Sequence, residues 1–436
     1  MVTGERVLVI GVGRIGAVTA IGLAHLLHDV TGVDTNAERV EELRAGRLRE
    51  AEPGLRAALK SALRLRRLRF ERAVAPGDYD VTFLCVDTPP LPGGEPDLRQ
   101  LFAAAEFAAR VTARGGVVVT RSTVPPGTGD RLEAALRAAG RRDLAVVHVP
   151  EFLREGRAWE DFREPDRVAI GANDAAAGER VARLFADISA PVYRMDRVTA
   201  ELAKYAANAY LATAVSFANE MADLAACFGA DTDRLFEVLK ADRRIGRDAY
   251  LGPGLGFGGH CLPKDTAALE YVAASRGIEL HQLRATIRVN AQRVERAADW
   301  LAQALGGLEG RRVALLGLAF KPGTDDLRAS PSLELARALR ARDAEVRGFD
   351  PLVRTAEGLE CPGTLPAALD GADAVVAAHR ADWVRAIDPA AAAGLMRRLV
   401  AFDAPGALDH AAWSAAGFAT NRCPRVAARA GEGAER

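Results

Sequence analysis

From the start of the chain to about Asp196, short apolar runs alternate with Ala-rich stretches whose apolar positions recur every three or four residues. The runs at 7–10, 30–33, 81–86, 117–120, 145–149 and 167–170 are rich in Val, Ile, Leu and Phe. Strands read this way when helices cover both faces of a parallel sheet, so this part is expected to be doubly wound α/β. The next hundred residues read as almost wholly helical, with Leu202, Tyr205, Ala206, Ala209, Phe217, Met221 and Leu224 at spacings near three and four. At Arg312-Val-Ala-Leu-Leu-Gly317 the strand pattern returns, followed by a helix from about Pro331, a strand ending Gly348-Phe349-Asp350-Pro351 and another at 374–377. The pattern predicts three parts: 1–196 as one α/β domain, 197–304 as a central helical domain, and 305–436 as a second α/β domain. Residues 425–436 are polar and Ala/Gly-rich and are expected to fray.

Composition narrows the function. The chain has 436 residues, the length of two or three domains and enough for substantial cores. Lys plus Arg (58) balance Asp plus Glu (58), so no global field favours nucleic acid or an anionic membrane, and anionic ligands must be held by local groups. No stretch is apolar for long enough to span a bilayer, and the first residues run straight into a strand without the pattern of a secretory leader. The five cysteines, Cys85, Cys227, Cys261, Cys361 and Cys423, are odd in number and scattered, which suits neither a disulfide framework nor a metal site. A reducing cytoplasm is the expected location, with no metal.

Gly11-Val-Gly13-Arg14-Ile15-Gly16 follows a predicted strand and opens a helix, where glycines let backbone amides approach a pyrophosphate. Asp34 ends the next strand about twenty residues on, in the position to bond ribose hydroxyls and repel a 2′-phosphate, so NAD is expected rather than NADP. The alternative is a tight turn with Asp34 as a helix cap. Two more strand ends, Cys85-Val-Asp-Thr88-Pro89 and Ser122-Thr123-Val-Pro-Pro-Gly127, carry small hydroxyl residues where a doubly wound sheet exposes its crevice. Cys85, among Phe83, Leu84 and Val86, reads as a small core hydrophobe.

The stretch from Leu251 to Asp265, Leu-Gly-Pro-Gly-Leu-Gly-Phe-Gly258-Gly-His260-Cys261-Leu-Pro-Lys264-Asp265, combines many glycines with a cysteine at a helix start. A helix N-terminus favours thiolate, which makes Cys261 a candidate nucleophile; a glycine-rich connector with an inert thiol is the other reading. Lys204 and Asn208 lie four apart on one helical face, able to meet a developing oxyanion or simply to face solvent. Glu151 follows a strand directly and could serve as a base for water or as a helix-start carboxylate.

Taken together, Gly11 to Gly16, Cys85 to Pro89, Ser122 to Thr128, Pro150 to Gly156, Pro165 to Gly171, Lys204 to Asn208, Arg244-Ile-Gly246, Gly256 to Asp265 and Gly317 to Arg328 resemble the nucleotide-sugar 6-dehydrogenase family over nearly the whole chain. The resemblance is greatest to its UDP-glucose-oxidising branch. It implies two Rossmann-like domains joined by a long central helix that also forms a homodimer interface, with NAD in the first domain. Cofactor contacts would come from Gly11, Gly13, Arg14, Ile15, Gly16, Asp34, Thr88, Ser122 and Thr123. Cys261 would be the nucleophile, with Lys204, Asn208 and Asp265 around the reacting oxygens and Glu151 with Thr123 handling protons and water. Phe152, Leu153, Gly258, Phe320, Lys321 and Arg328 would help hold a nucleotide sugar, joined by Arg244 from a neighbouring subunit. The implied chemistry is a four-electron oxidation of a C6 alcohol to the carboxylate through a thioester on Cys261.

Some positions depart from the family pattern. Val149 replaces an Asn, His260 a Ser, and Ala214 a frequent Lys or Arg; the loop between Arg244 and Cys261 is one residue longer; and Phe402 to Ala407 lacks a familiar Arg. GDP-mannose and a UDP-N-acetylhexosamine therefore stay open as substrates. Two other classes remain, a sugar-nucleotide-binding protein without turnover and a two-electron β-hydroxyacid dehydrogenase, which needs no cysteine.

Overall fold

The computed structural model describes residues 4–50 and 52–421, so Cys423 and the 425–436 tail lie outside the described residues. The chain divides into two compact units, Met1–Ala207 with Ala267–Ile278, and Asn208–Thr266 with Glu279–Arg436.

In the first unit, β1 (Arg6–Ile10), β2 (Asp29–Val33), β3 (Leu68–Glu71), β4 (Tyr79–Leu84), β5 (Thr112–Thr120), β6 (Ala145–His148), β7 (Val168–Ala172) and β8 (Val192–Met195) form one sheet. Its order is β3-β2-β1-β4-β5-β6-β7-β8. Alternation along each strand explains the two cores. Val7 and Val9 pack with Ile21 and Phe162 on one face, while Leu8 and Ile10 pack with Leu101 and Leu132 on the other. Each such side chain, once fully buried, contributes about 1.5–3 kcal/mol. The chain leaves β1 towards β2 on one side and later returns to β4 on the other, which opens a crevice beyond the ends of β1 and β4. One pairing departs from the expected parallel sheet: β7 runs antiparallel to β6. The link between them holds only the short Ala158–Arg163 helix and turns back at the same end of the sheet.

The second unit repeats the plan with β9 (Arg312–Leu316), β10 (Glu345–Phe349), β11 (Ala374–Ala377), β12 (Val400–Asp403) and β13 (Ala419–Thr420), ordered β10-β9-β11-β12-β13 and wholly parallel. Val313 and Leu315 face one core, Ala314 and Leu316 the other.

The stretch expected to be almost wholly helical contains the helices Arg197–Cys227, Thr232–Ala241, Leu262–Ala274 and His281–Leu305. Residues 242–261 interrupt it as an irregular loop, because glycine at 246, 252, 254, 256, 258 and 259 costs a helix about 1 kcal/mol each and Pro253 removes a donor. No described helix is long and apolar enough to cross a membrane.

Candidate active site

In the first unit the turn after β1 is built around glycine. Gly11 has φ +83°, and a Cβ there would meet the Cys85 carbonyl oxygen at 2.7 Å. A Cβ on Gly16 would overlap the Gly11 carbonyl, so the Arg14–His25 helix starts directly against β1. Gly13 is the N-cap of that helix with no side-chain cap, and the position its Cβ would take is open space. Bare amides at the positive end of a helix beside an open volume fit a pyrophosphate. Asp34 accepts from Val12 N at 2.8 Å and from Asn36 N at 2.9 Å, which fixes its carboxylate at the end of β2. These residues fit NAD.

Sequence reading missed Arg39. Its buried guanidinium donates Nε–H to Val12 O at 2.9 Å and pairs with Glu50, holding the glycine turn from behind. Arg14 pairs with Glu155. Thr88 donates its hydroxyl to Thr123 O at 2.8 Å and Ser122 to Val86 O at 2.6 Å, so the two strand-end segments are stitched together. Cys85 lies in the core, and burial pushes its thiol up to about 12, which makes it unreactive.

Glu151 and Lys204 come together in this unit. Lys204 Nζ stands 2.9 Å from Glu151 Oε1, both nearly fully buried, and Glu151 Oε2 accepts from Leu153 N at 2.7 Å. Burial pushes the Glu151 carboxyl up, but Lys204, the Leu153 amide and Arg121 outweigh it and hold the group below the ordinary carboxylate range. Arg121 is buried and directs Nη1 towards the Val149 and Pro150 carbonyls at 3.3 and 3.4 Å. The Phe152 ring lies under Arg167, 3.9 Å from its centroid. One turn before Lys204, Glu201 is buried and accepts from Gly127 N and Gly129 N, both at 2.6 Å. Glu201 was missed because its spacing marks it only as a helical polar residue.

In the second unit, Cys261 immediately precedes the Leu262–Ala274 helix, and its carbonyl accepts the first-turn amide of Asp265 at 2.8 Å. The thiol therefore belongs to a helix start, where the dipole favours its anion. Asp265 is the centre of a buried cluster: Asn208 Nδ2 donates to Oδ2 at 2.5 Å and Lys264 Nζ reaches Oδ1 at 2.5 Å. The glycines before the cysteine are required by close approach. A Cβ on Gly259 (φ +80°) would lie 2.7 Å from the Phe320 ring, and one on Gly258 would overlap Ala329 O. Gly259 N donates to Arg328 O at 3.1 Å, and Ala329 itself is left-handed at φ +44°, a strained state of about 1–2 kcal/mol held by this packing. Arg328 grips Asp326 with two nitrogens.

A cavity of about 310 Å³ opens in this unit, walled by residues 249–258 together with Phe320, Lys321, His379 and Arg380. Its aromatic and cationic lining suits a nucleotide with its phosphates. Arg244 is outside it, with its side chain 89% exposed and paired to Asp242. Among the described residues no cluster of His, Cys, Asp or Glu could hold a metal ion.

Three family models of the UDP-glucose/GDP-mannose dehydrogenase family match: the NAD binding domain over residues 5–189, the central domain over 198–292 and the UDP binding domain over 314–410. A UDP-glucose 6-dehydrogenase of Pseudomonas aeruginosa is 41% identical over 393 residues, covering 85% of this chain and 86% of that one. One of Bacillus subtilis is 36% identical over 91% of this chain and 92% of its own. The structure of a UDP-glucose dehydrogenase from Pyrobaculum islandicum, 40% identical, superposes with a TM-score of 0.86 over 93% of this chain and 96% of that one. That of a UDP-D-ManNAc dehydrogenase from Pyrococcus horikoshii, 29% identical, also reaches 0.86, over 95% and 98%. With a glycine turn and acid that fit NAD and a cysteine at a helix start, the chain belongs to the UDP-glucose/GDP-mannose dehydrogenase family and is an NAD-dependent nucleotide-sugar dehydrogenase.

Proposed function

We propose that the chain oxidises UDP-glucose to UDP-glucuronate with Cys261 as a covalent nucleophile. The observation that carries this reading is the cysteine at a helix start, followed within one turn by the buried Asn208–Asp265–Lys264 cluster. When bound, NAD would supply a two-electron acceptor, one molecule taking hydride from the alcohol and a second from the thiohemiacetal, with one proton released to solvent each time. Lys204 and Asn208 orient the C6 oxygen and stabilise negative charge on it. The Cys261 thiol adds across the aldehyde, its sulfur forming an S–C bond and its proton passing to the carbonyl oxygen. After the second oxidation a thioester remains, and water attacks its carbonyl carbon. Glu151, held ionised, accepts the proton of that water; the C–S bond breaks and the thiolate leaves, with Thr123 positioning the water.

UDP-glucose is preferred over GDP-mannose or a UDP-N-acetylhexosamine because the matched relatives named above are mostly UDP-glucose dehydrogenases. The test is turnover against those nucleotide sugars, with products weighed by mass spectrometry. Two NADH per uronate from UDP-glucose are expected. Clear preference for another sugar overturns the substrate, one NADH per product overturns the four-electron reaction, and binding without turnover makes the chain a sugar-nucleotide-binding protein.

We also propose a cytoplasmic homodimer formed through the central part, 197–304. The Arg197–Cys227 helix exposes Leu202, Tyr210, Phe217 and Leu224 at spacings of about two turns, with Phe228 exposed just past its end, an apolar stripe suited to a second copy. Arg244 would serve the partner's site. Phe217→Asp is expected to yield monomers in light scattering; an unchanged dimer would exclude this face.

A further inference from the structure

The loop that walls the cavity and leads to Cys261 has glycine at 252, 254, 256, 258 and 259. A backbone this permissive loses more freedom on ordering than any other, so groups outside the loop must hold it. Asn290, on the His281–Leu305 helix, supplies both halves of a strand-like pairing to one loop residue. Its Oδ1 accepts from Phe257 N at 2.7 Å and its Nδ2 donates to Phe257 O at 3.0 Å. Gly256 has φ +110°, and a Cβ there would stand 2.5 Å from Asn290 Oδ1, so glycine is needed for the amide to come this close.

Further pins hold the loop three residues earlier. Gly254 N donates to Oδ1 of the fully buried Asn219 at 2.8 Å, and Gly254 O accepts Arg293 Nε at 3.3 Å. Arg293 is itself fixed by Asp223 at 2.6 Å. Of these three side chains that pin the loop, Asn290 satisfies both backbone groups of one residue, and it does so four residues before the cysteine.

We infer that Asn290 is a positioning residue for the dehydrogenase reaction, fixing Phe257 and thereby the cavity wall and the approach to Cys261. The inference rests on the reading of this cavity as the nucleotide-sugar site and of Cys261 as the nucleophile. In the full-length protein, Asn290→Ala is expected to raise KM for the nucleotide sugar roughly tenfold and to change the rate of Cys261 alkylation by iodoacetamide about threefold or more, with KM for NAD within about twofold. Asn290→Asp keeps the acceptor for Phe257 N but loses the donor to its carbonyl, and should fall between. Rates are counted per folded molecule, with thermal midpoints measured in parallel. If both variants lose only stability, and substrate KM and alkylation rate stay within about twofold, Asn290 is merely structural and the inference is overturned. If the unmodified protein turns over no nucleotide sugar, the proposed function has failed while the alkylation comparison still decides the positioning role.

Discussion

The two α/β units use the same backbone device at the end of their first strands and diverge one residue later. After β1, Gly11 N donates to Val33 O at 2.9 Å and Val12 N to Asp34 at 2.8 Å; after β9, Gly317 N donates to Phe349 O at 2.8 Å and Leu318 N to Asp350 at 3.0 Å. Both glycines are left-handed, at φ +83° and +96°. In the first unit a helix begins at once and the small Cys85 sits over the turn, leaving amides and an open volume. In the second, His379 stands over the turn, with a ring atom 2.5 Å from where a Gly317 Cβ would be, and bonds Ala319 O at 2.8 Å. The chain then runs through Phe320, Lys321 and Arg328 before the Pro331–Arg340 helix starts. A glycine turn with an acid on the next strand therefore sets a backbone shape. The segment immediately after the turn is what differs between the two units, which match an NAD binding domain and a UDP binding domain.

The comparison is tested most severely by removing the group that only the second unit carries. Cys261→Ala is expected to lower uronate formation by about three orders of magnitude or more, while calorimetry shows cofactor and nucleotide-sugar binding retained. Cys261→Ser should accumulate an acyl-enzyme visible by mass. Normal acid production by the Ala variant would return the loop to a structural role. Next come the paired substitutions Gly11→Ala and Gly317→Ala. Both should cost about 1–3 kcal/mol in denaturant unfolding because both force φ > 0 on alanine against a close neighbour. Only the first should weaken NAD binding and only the second nucleotide-sugar binding; the same binding loss from both would break the division of labour.

A smaller effect is expected at Asp34. The unmodified protein should prefer NAD, and Asp34→Ala should reduce the NAD/NADP ratio of kcat/KM by roughly 10–100-fold, since a bond and a repulsion vanish together. A starting preference for NADP would end the role given to Asp34. The gentlest test contrasts the buried histidines. Burial, with Arg121 nearby, depresses His148 to about 3, whereas the burial that lowers His379 is opposed by Ala319 and Asp350. His148 is thus held neutral when folded but charges near pH 6.5 when unfolded. Its contribution is complete above 6.5 and is lost as pH falls towards 3, at about 1.4 kcal/mol per pH unit. His148→Asn should flatten that part of the stability curve, and an unchanged slope would show that the imidazole is not the group titrating.

Legibility in the sequence followed burial. In β1, β4, β9 and β11 the buried positions are almost all apolar because both faces are covered, and these strands are readable as runs. β3 alternates Leu68 and Phe70 with charged residues, and β8 is a short, partly exposed edge strand, so neither rises above its surroundings. The glycine turns, Asp34 and Cys261 could be found because backbone geometry and a helix start restrict which residues fit. Glu151 and Lys204 were each ambiguous alone, and only the fold brings them to 2.9 Å. Arg39, Arg121, Glu201 and Asn290 were invisible for a common reason. Each acts by bonding the backbone of a remote segment, and nothing in the spacing of a charged or amide residue tells a solvated face from such a contact.

By accepting from Gly127 N and Gly129 N, the Glu201 carboxyl, which burial raises to about 7, fills the start of the Thr128–Ala138 helix. Among the described residues, no side chain caps the helix after β1 in this way. A dinucleotide has two chemically different ends and one pyrophosphate, and a crevice with two equivalent helix starts would accept it in either sense. Filling one of them from within turns the crevice into a polar socket. A phosphate entering this crevice would therefore meet uncapped amides at the start of the helix after β1 and a filled start at the Thr128–Ala138 helix.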